Sequence, residues 1–97
     1  MLPSQVLQQQ RSQILAIMER YPMLANLRVF GSVARGEDTE KSDIDFLVDA
    51  LPGTSLFDLG GLQMELETFL GLPIHLLTTR GLPPEFRDVS LQEAKPV

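Results

Sequence analysis

An α/β (α+β) fold, with a small mixed sheet flanked by helices, is predicted by three observations. Apolar residues recur at helical spacing at the start of the chain and again between residues 56 and 70. Short runs of β-branched and aromatic residues fall at 27–30, 44–48 and 74–78. The resulting order, helix, strand, strand, helix, strand, suits a small sheet covered by helices.

The leading helix is expected from about Ser4 to Arg20, with Leu7, Ile14, Leu15 and Met18 near helical spacing. Tyr21-Pro22 closes it, because proline disfavours helix for the residue before it. Leu27 to Phe30 reads as a strand ended by Gly31, and Ser32 to Arg35 as the first turn of a helix. Gly36 to Ser42 is a polar loop. A second strand is expected at Ile44 to Val48, where Ile44, Phe46 and Val48 alternate with Asp45 and Leu47. The next helix, from Leu56 to Leu70, carries Leu59, Leu62, Leu66, Phe69 and Leu70 on one face. Thr54 or Ser55 caps it and Gly71 stops it. Gly60-Gly61 weakens it by about 1 kcal/mol each relative to alanine. Ile74 to Thr78 is a third strand. The tail from Pro83 to Val97 has one short helical stretch, near Glu85 to Asp88.

The length of 97 residues suits one domain, residues 1–97. So short a chain buries about 60–65% of the surface that its unfolded form exposes, which makes a partner subunit plausible. With 8 Lys+Arg against 13 Asp+Glu, the net charge of -5 argues against an extended nucleic-acid surface but not against one local nucleotide site. No cysteine is present, so disulfides and thiolate metal sites are excluded. The first residues lack a charged-then-apolar signal pattern, and no apolar run approaches the roughly 18 residues needed to span a bilayer. A soluble, cytoplasmic chain is expected.

The chemistry concentrates in Gly31-Ser32-Val33-Ala34-Arg35-Gly36 and Ser42-Asp43-Ile44-Asp45. A strand ending in glycine turns sharply, and the N–H groups that open the following helix form an anion site. Ser32 adds a hydroxyl. Taken alone, a Gly-Ser pair also serves in ordinary turns. Asp43 and Asp45 stand two apart at a strand start, so both project to one face, where a shared Mg²⁺ relieves their repulsion. Taken alone, Asp-x-Asp is also an ordinary solvated strand end. Together the two halves are far more specific, because adjacent strands would bring a phosphate cradle against a metal pair. The lysine of a P-loop, the Gly-x-Gly-x-x-Gly fingerprint and EF-hand spacing are all absent. Arg35 suits a triphosphate oxygen or Asp43, and equally a helix cap or a surface pair with Glu37, Asp38 or Glu40. Residues 37–41 read as a solvated loop beside the site and a candidate lid. Tyr21, Met23 and Phe30 read as core.

These runs resemble the signature of the polymerase-beta-like nucleotidyltransferase superfamily, and above all its smallest members, the minimal nucleotidyltransferase (MNT) antitoxins paired with HEPN-domain toxins. The chain length, leading helix and Leu56-Phe57-Asp58-Leu59 start fit as well. The resemblance implies that Gly31 and Ser32 hold a nucleoside triphosphate, ATP being the expected one. It implies that Asp43 and Asp45 bind Mg²⁺ or Mn²⁺. It further implies transfer of a nucleotide monophosphate to a hydroxyl, pyrophosphate leaving, with a tyrosine of an adjacently encoded HEPN-type toxin as acceptor.

The chain departs from that pattern on the next strand. There the family usually places a third carboxylate that completes the metal site, and this chain has His75 in Pro73-Ile74-His75-Leu76-Leu77. Imidazole is a poor Mg²⁺ ligand but a capable general base near neutral pH. His75 is therefore open to three readings: an altered base, a relic in a silent site, or a strand histidine without a role. Asp49 is no obvious substitute, lying about 13 Å beyond Asp45 along an extended strand. The leading expectation is a metal-dependent nucleotidyltransferase antitoxin. The alternative is a catalytically degenerate module that neutralises the toxin by docking, and transfer to a small antibiotic-like hydroxyl ranks third.

Overall fold

The computed structural model describes residues 1–97. Five helices, α1 (Pro3–Gln9), α2 (Arg11–Met18), α3 (Gly31–Arg35), α4 (Leu56–Leu70) and α5 (Pro84–Glu93), surround a sheet. Its strands are β1 (Leu24–Phe30), β2 (Ile44–Ala50), β3 (Ile74–Thr78) and β4 (Lys95–Pro96), in the order β3-β2-β1-β4. β1 is antiparallel to β2 and β4, and β2 is parallel to β3, so the sheet is mixed. No helix is long and apolar enough to cross a membrane.

β2 lies at the centre and is the most deeply buried strand. Ile44, Phe46, Leu47 and Val48 are all 0% exposed. Ile44, Phe46 and Val48 face α2 and α4 in a core shared with Ile14, Ile17, Leu62, Leu66 and Ile74. Leu47 points to the other face. There it pairs across the sheet with Arg28 and Leu77, under the segment that carries the buried Leu82 and α5. β2 is therefore covered on both faces, and a strand buried on both faces loses the simple alternation of burial expected for Leu47.

Several boundaries differ from the expectation. The leading helix breaks at Gln10, where φ is −101° and ψ 13°, so α1 contacts α3 while α2 packs on α4. No glycine or proline marks this break; two different packing surfaces impose it. Ile17 is buried and Leu15 exposed, because the α2 face is rotated from the one expected. β1 begins at Leu24, its pairing with β2 shifting around Asn26, which has φ 58°. Asparagine is among the residues that accept this left-handed conformation, and such an irregularity bends a strand. α4 has the expected limits. Ser55 and Asp58 form a reciprocal capping box, and Gly71 ends the helix in the left-handed region. Phe69 is 42% exposed rather than core. At Gly61 an added Cβ would lie 3.1 Å from the Tyr21 hydroxyl, which donates to Glu65, so glycine is what lets α4 approach Tyr21. The tail forms the full helix α5 and then β4, much more structure than its short expected helix.

Asp49 lies at the far end of β2 from Asp43. It accepts from Arg28 Nη2 at 2.7 Å, Thr79 Oγ1 at 2.6 Å and Asn26 Nδ2 at 3.2 Å. The Thr79 hydroxyl above all, then Asn26 and Arg28, hold its carboxyl below the ordinary 3.8, against the upward push of burial. Folding thus favours the charged form, and stability from this group is present above 3.8 and lost as the pH falls. Asp49→Asn should cost about 1 kcal/mol in urea unfolding at pH 7, because Arg28 loses its charge partner in a half-open setting that solvent screens. The difference from the wild type should shrink towards pH 3.

Candidate active site

The site forms where three adjacent strands bring one residue each into a row. Phe30 at the end of β1 pairs with Asp45 on β2, and Asp45 pairs with His75 on β3. Asp43 immediately precedes β2, after a turn in which Ser42 Oγ accepts from the Thr39 N–H at 2.9 Å. β1 then passes straight into α3 at Gly31, so the turn lies beside the Asp45 carboxylate.

Gly31 is required here twice over. Its φ is +71°, a conformation that side chains resist, and a Cβ would overlap the Asp45 carboxylate oxygen. The turn and the carboxylate are therefore in direct contact. Ser32, part-exposed, opens α3 behind it, while Val33 and Ala34 are buried and fix the short helix to the core.

His75 is 62% exposed and lies between the two acidic residues. Its Nδ1 is 3.1 Å from Asp45 Oδ1, and its Nε2 is 3.5 Å from Asp43 Oδ2. Asp45 is the less exposed of the carboxylates, at 26% against 40%. Burial pushes its carboxyl above the ordinary 3.8 and Asp43 adds to the push, while His75 and, more weakly, Arg35 pull it back.

A divalent cation has a partial donor set in these residues. Asp43 and Asp45 supply carboxylate oxygens, which suit Mg²⁺ or Mn²⁺ when phosphates and water supply the remaining ligands. An all-protein cage is not formed: no group of three or more His, Cys, Asp or Glu is arranged to hold a metal. The imidazole directs a different nitrogen to each carboxylate instead of converging with them on one point.

Arg35 pairs with Glu37, Nε to Oε2 at 3.0 Å, one of the surface partners considered for it. It also binds Glu93 at the end of α5, Nη1 lying 3.1 Å from both carboxylate oxygens. Glu93 Oε1 accepts from the Gly31 N–H at 2.9 Å as well. Sequence reading passes over Glu93, which is 62 positions from Gly31 and belongs to no motif. The Pro83-Pro84 helix start was the one local signal of the element that carries it. The loop 36–42 is tied down at Asp38, whose carboxylate accepts from the Ser4 N–H at 2.9 Å.

A glycine turn that touches one of two neighbouring carboxylates at the start of the adjoining strand fits a nucleotidyltransferase-type domain. Residues 11–97 match the model of the nucleotidyltransferase domain family, and the chain belongs to that family. It is 47% identical over 66 residues, 68% of this chain and 71% of the other, to a candidate protein adenylyltransferase of Methanocaldococcus jannaschii. It is 40% identical over 65 residues, 67% of this chain and 66% of the other, to the protein adenylyltransferase MntA of Thermococcus cleftensis. Among solved structures, a candidate minimal nucleotidyltransferase superposes with a TM-score of 0.84 at 39% identity, covering 97% of this chain and 95% of the other. A toxin–antitoxin complex with AMP-PNP shares the fold, with a TM-score of 0.74 at 22% identity over 88% of this chain and 69% of the other.

Two substitutions should move stability in opposite directions. Gly31→Ala should lose about 1–3 kcal/mol in denaturant unfolding, through backbone strain and the overlap with Asp45. Asp45→Asn should do the reverse. Folding raises the Asp45 pKa, so stability from this group is greatest below 3.8 and is lost as the pH rises through the raised value. The variant should therefore melt about 2–4 °C higher than the wild type at pH 7, with the gain disappearing near pH 3.

Proposed function

We propose that this chain is the antitoxin of a toxin–antitoxin pair and acts as a metal-dependent nucleotidyltransferase. It moves a nucleotide monophosphate from ATP to a hydroxyl of a HEPN-type toxin encoded beside it, within the cytoplasm. The observation that carries this reading is the contact between the Gly31 turn and Asp45, with Asp43 and His75 alongside. Relatives named protein adenylyltransferases support the reaction class. A shared fold with toxin–antitoxin complexes fits the biological setting.

Asp43 and Asp45 would hold the cation, which on binding neutralises phosphate charge and polarises the reacting phosphorus. The turn at Gly31 and Ser32 orients the triphosphate, with Arg35 as a charged neighbour. The acceptor oxygen forms a bond to the α-phosphorus, the bond from that phosphorus to the pyrophosphate oxygen breaks, and pyrophosphate leaves with the electron pair. The hydroxyl proton needs an acceptor on this side of the sheet. In the tautomer that donates Nδ1–H to Asp45, Nε2 of His75 bears the lone pair and takes that proton. Asp45 thus orients the base.

A second reading keeps the partner but not the chemistry: a docking antitoxin with a silent site. Its support is the pose of His75, which lies between both carboxylates where, by the resemblance, a third carboxylate usually stands.

Intact mass spectrometry of the partner after incubation with this protein, ATP and Mg²⁺ or Mn²⁺ should show one or more added nucleotide monophosphates. Asp43→Asn/Asp45→Asn should abolish the addition, and His75→Ala should slow it by about 10²–10⁴-fold, the range of general-base catalysis. Addition by a folded double variant would refute the proposal. No addition by the wild type, with the toxin still neutralised by the double variant, would establish docking.

A further inference from the structure

Glu93 reaches the phosphate turn from the far end of the chain. Its carboxylate takes the Gly31 N–H and the Arg35 guanidinium together, at 2.9 and 3.1 Å. These are groups that the nucleotide reading gives to a phosphate oxygen, and the occupant has the same charge and the same acceptor chemistry. A main-chain N–H has a single hydrogen to donate. Gly31 cannot serve Glu93 and a phosphate at full strength at once.

The element that carries Glu93 is lightly held. Ser90 is its one buried residue, while Phe86 and Val89 are 61% and 62% exposed. A cavity of about 400 Å³ lies between α5 and the sheet, bounded by Phe30, Leu77, Phe86 and Val89. Lifting the helix therefore removes little apolar surface from contact. Fixed points remain on either side, in the buried Leu82 before α5 and in β4 paired with β1 after it. The sheet has no need to open.

We propose that Glu93 is a built-in competitor of the nucleotide. In the resting chain α5 closes the anion site with its own carboxylate, and a polyphosphate enters by displacing Glu93 and loosening α5. The proposal rests on the reading that the Gly31 turn holds nucleotide phosphates, and it adds an internal gate. Because Phe86 and Val89 ride on the same helix, occupancy of the nucleotide site alters an exposed apolar surface.

The test measures binding of inorganic tripolyphosphate, and separately of ATP with Mg²⁺, by calorimetry on the full chain, Glu93→Gln and Glu93→Ala. Affinity for tripolyphosphate should rise about 3- to 10-fold in Glu93→Ala, the scale of a part-exposed ion pair, and less in Glu93→Gln, which keeps an acceptor. Hydrogen exchange of wild-type residues 84–93 should quicken at saturating tripolyphosphate. Unchanged or weaker binding by Glu93→Ala, with wild-type binding intact, overturns the competition and leaves the nucleotide reading standing. Tighter binding with unchanged exchange overturns the displacement of α5. No binding of either anion by any of the three proteins overturns both the gate and the nucleotide reading.

Discussion

A carboxylate held against a main-chain turn is the constraint on which the site depends. Asp45 projects from the central strand to within contact of Gly31. The strand is fixed by residues without solvent exposure on both faces, and α3 is fixed by Val33 and Ala34. The arrangement carries a cost, since burial disfavours the charged form of Asp45. His75 and Asp43 adjust that charge from opposite directions.

The sheet order explains how distant residues meet. β1 and β2 are neighbours through an antiparallel pairing, and β3 joins β2 in parallel after the α4 crossover. Asp45 and His75, 30 positions apart, are thereby register partners. A histidine at this place meets the two carboxylates whatever its role. The Arg28, Asp49 and Thr79 network fastens the other end of the same strands, with the buried Leu47 between the two polar clusters.

Local signals were legible in the sequence and distant ones were not. Ser55, Asp58 and Gly71 delimit α4 because capping depends on residues within a turn of each helix end. The juxtaposition of Gly31, Asp43 and Asp45 follows from two strands joined by a short loop. The break at Gln10 had no such signal, being imposed by two packing surfaces that belong to α3 and α4. The extent of α5 was hidden for a related reason. Its outer face keeps Phe86 and Val89 in solvent, so it lacks the apolar stripe by which a helix is read, and its last residue is held by Gly31 and Arg35. Leu47 misled the alternation because the tail covers the second face of the sheet.

The two-residue strand β4 has a bearing on how the molecule behaves among its own copies. Along its outer side β1 presents main-chain donors and acceptors, and Lys95, Pro96 and the Val97 N–H to Leu27 carbonyl bond at 3.1 Å cover part of that side. Proline offers no N–H for a further strand, and lysine places a charge where a second sheet would dock. Lys95-Pro96 thus works as a selvedge along part of one border of the sheet, while β3 forms the other.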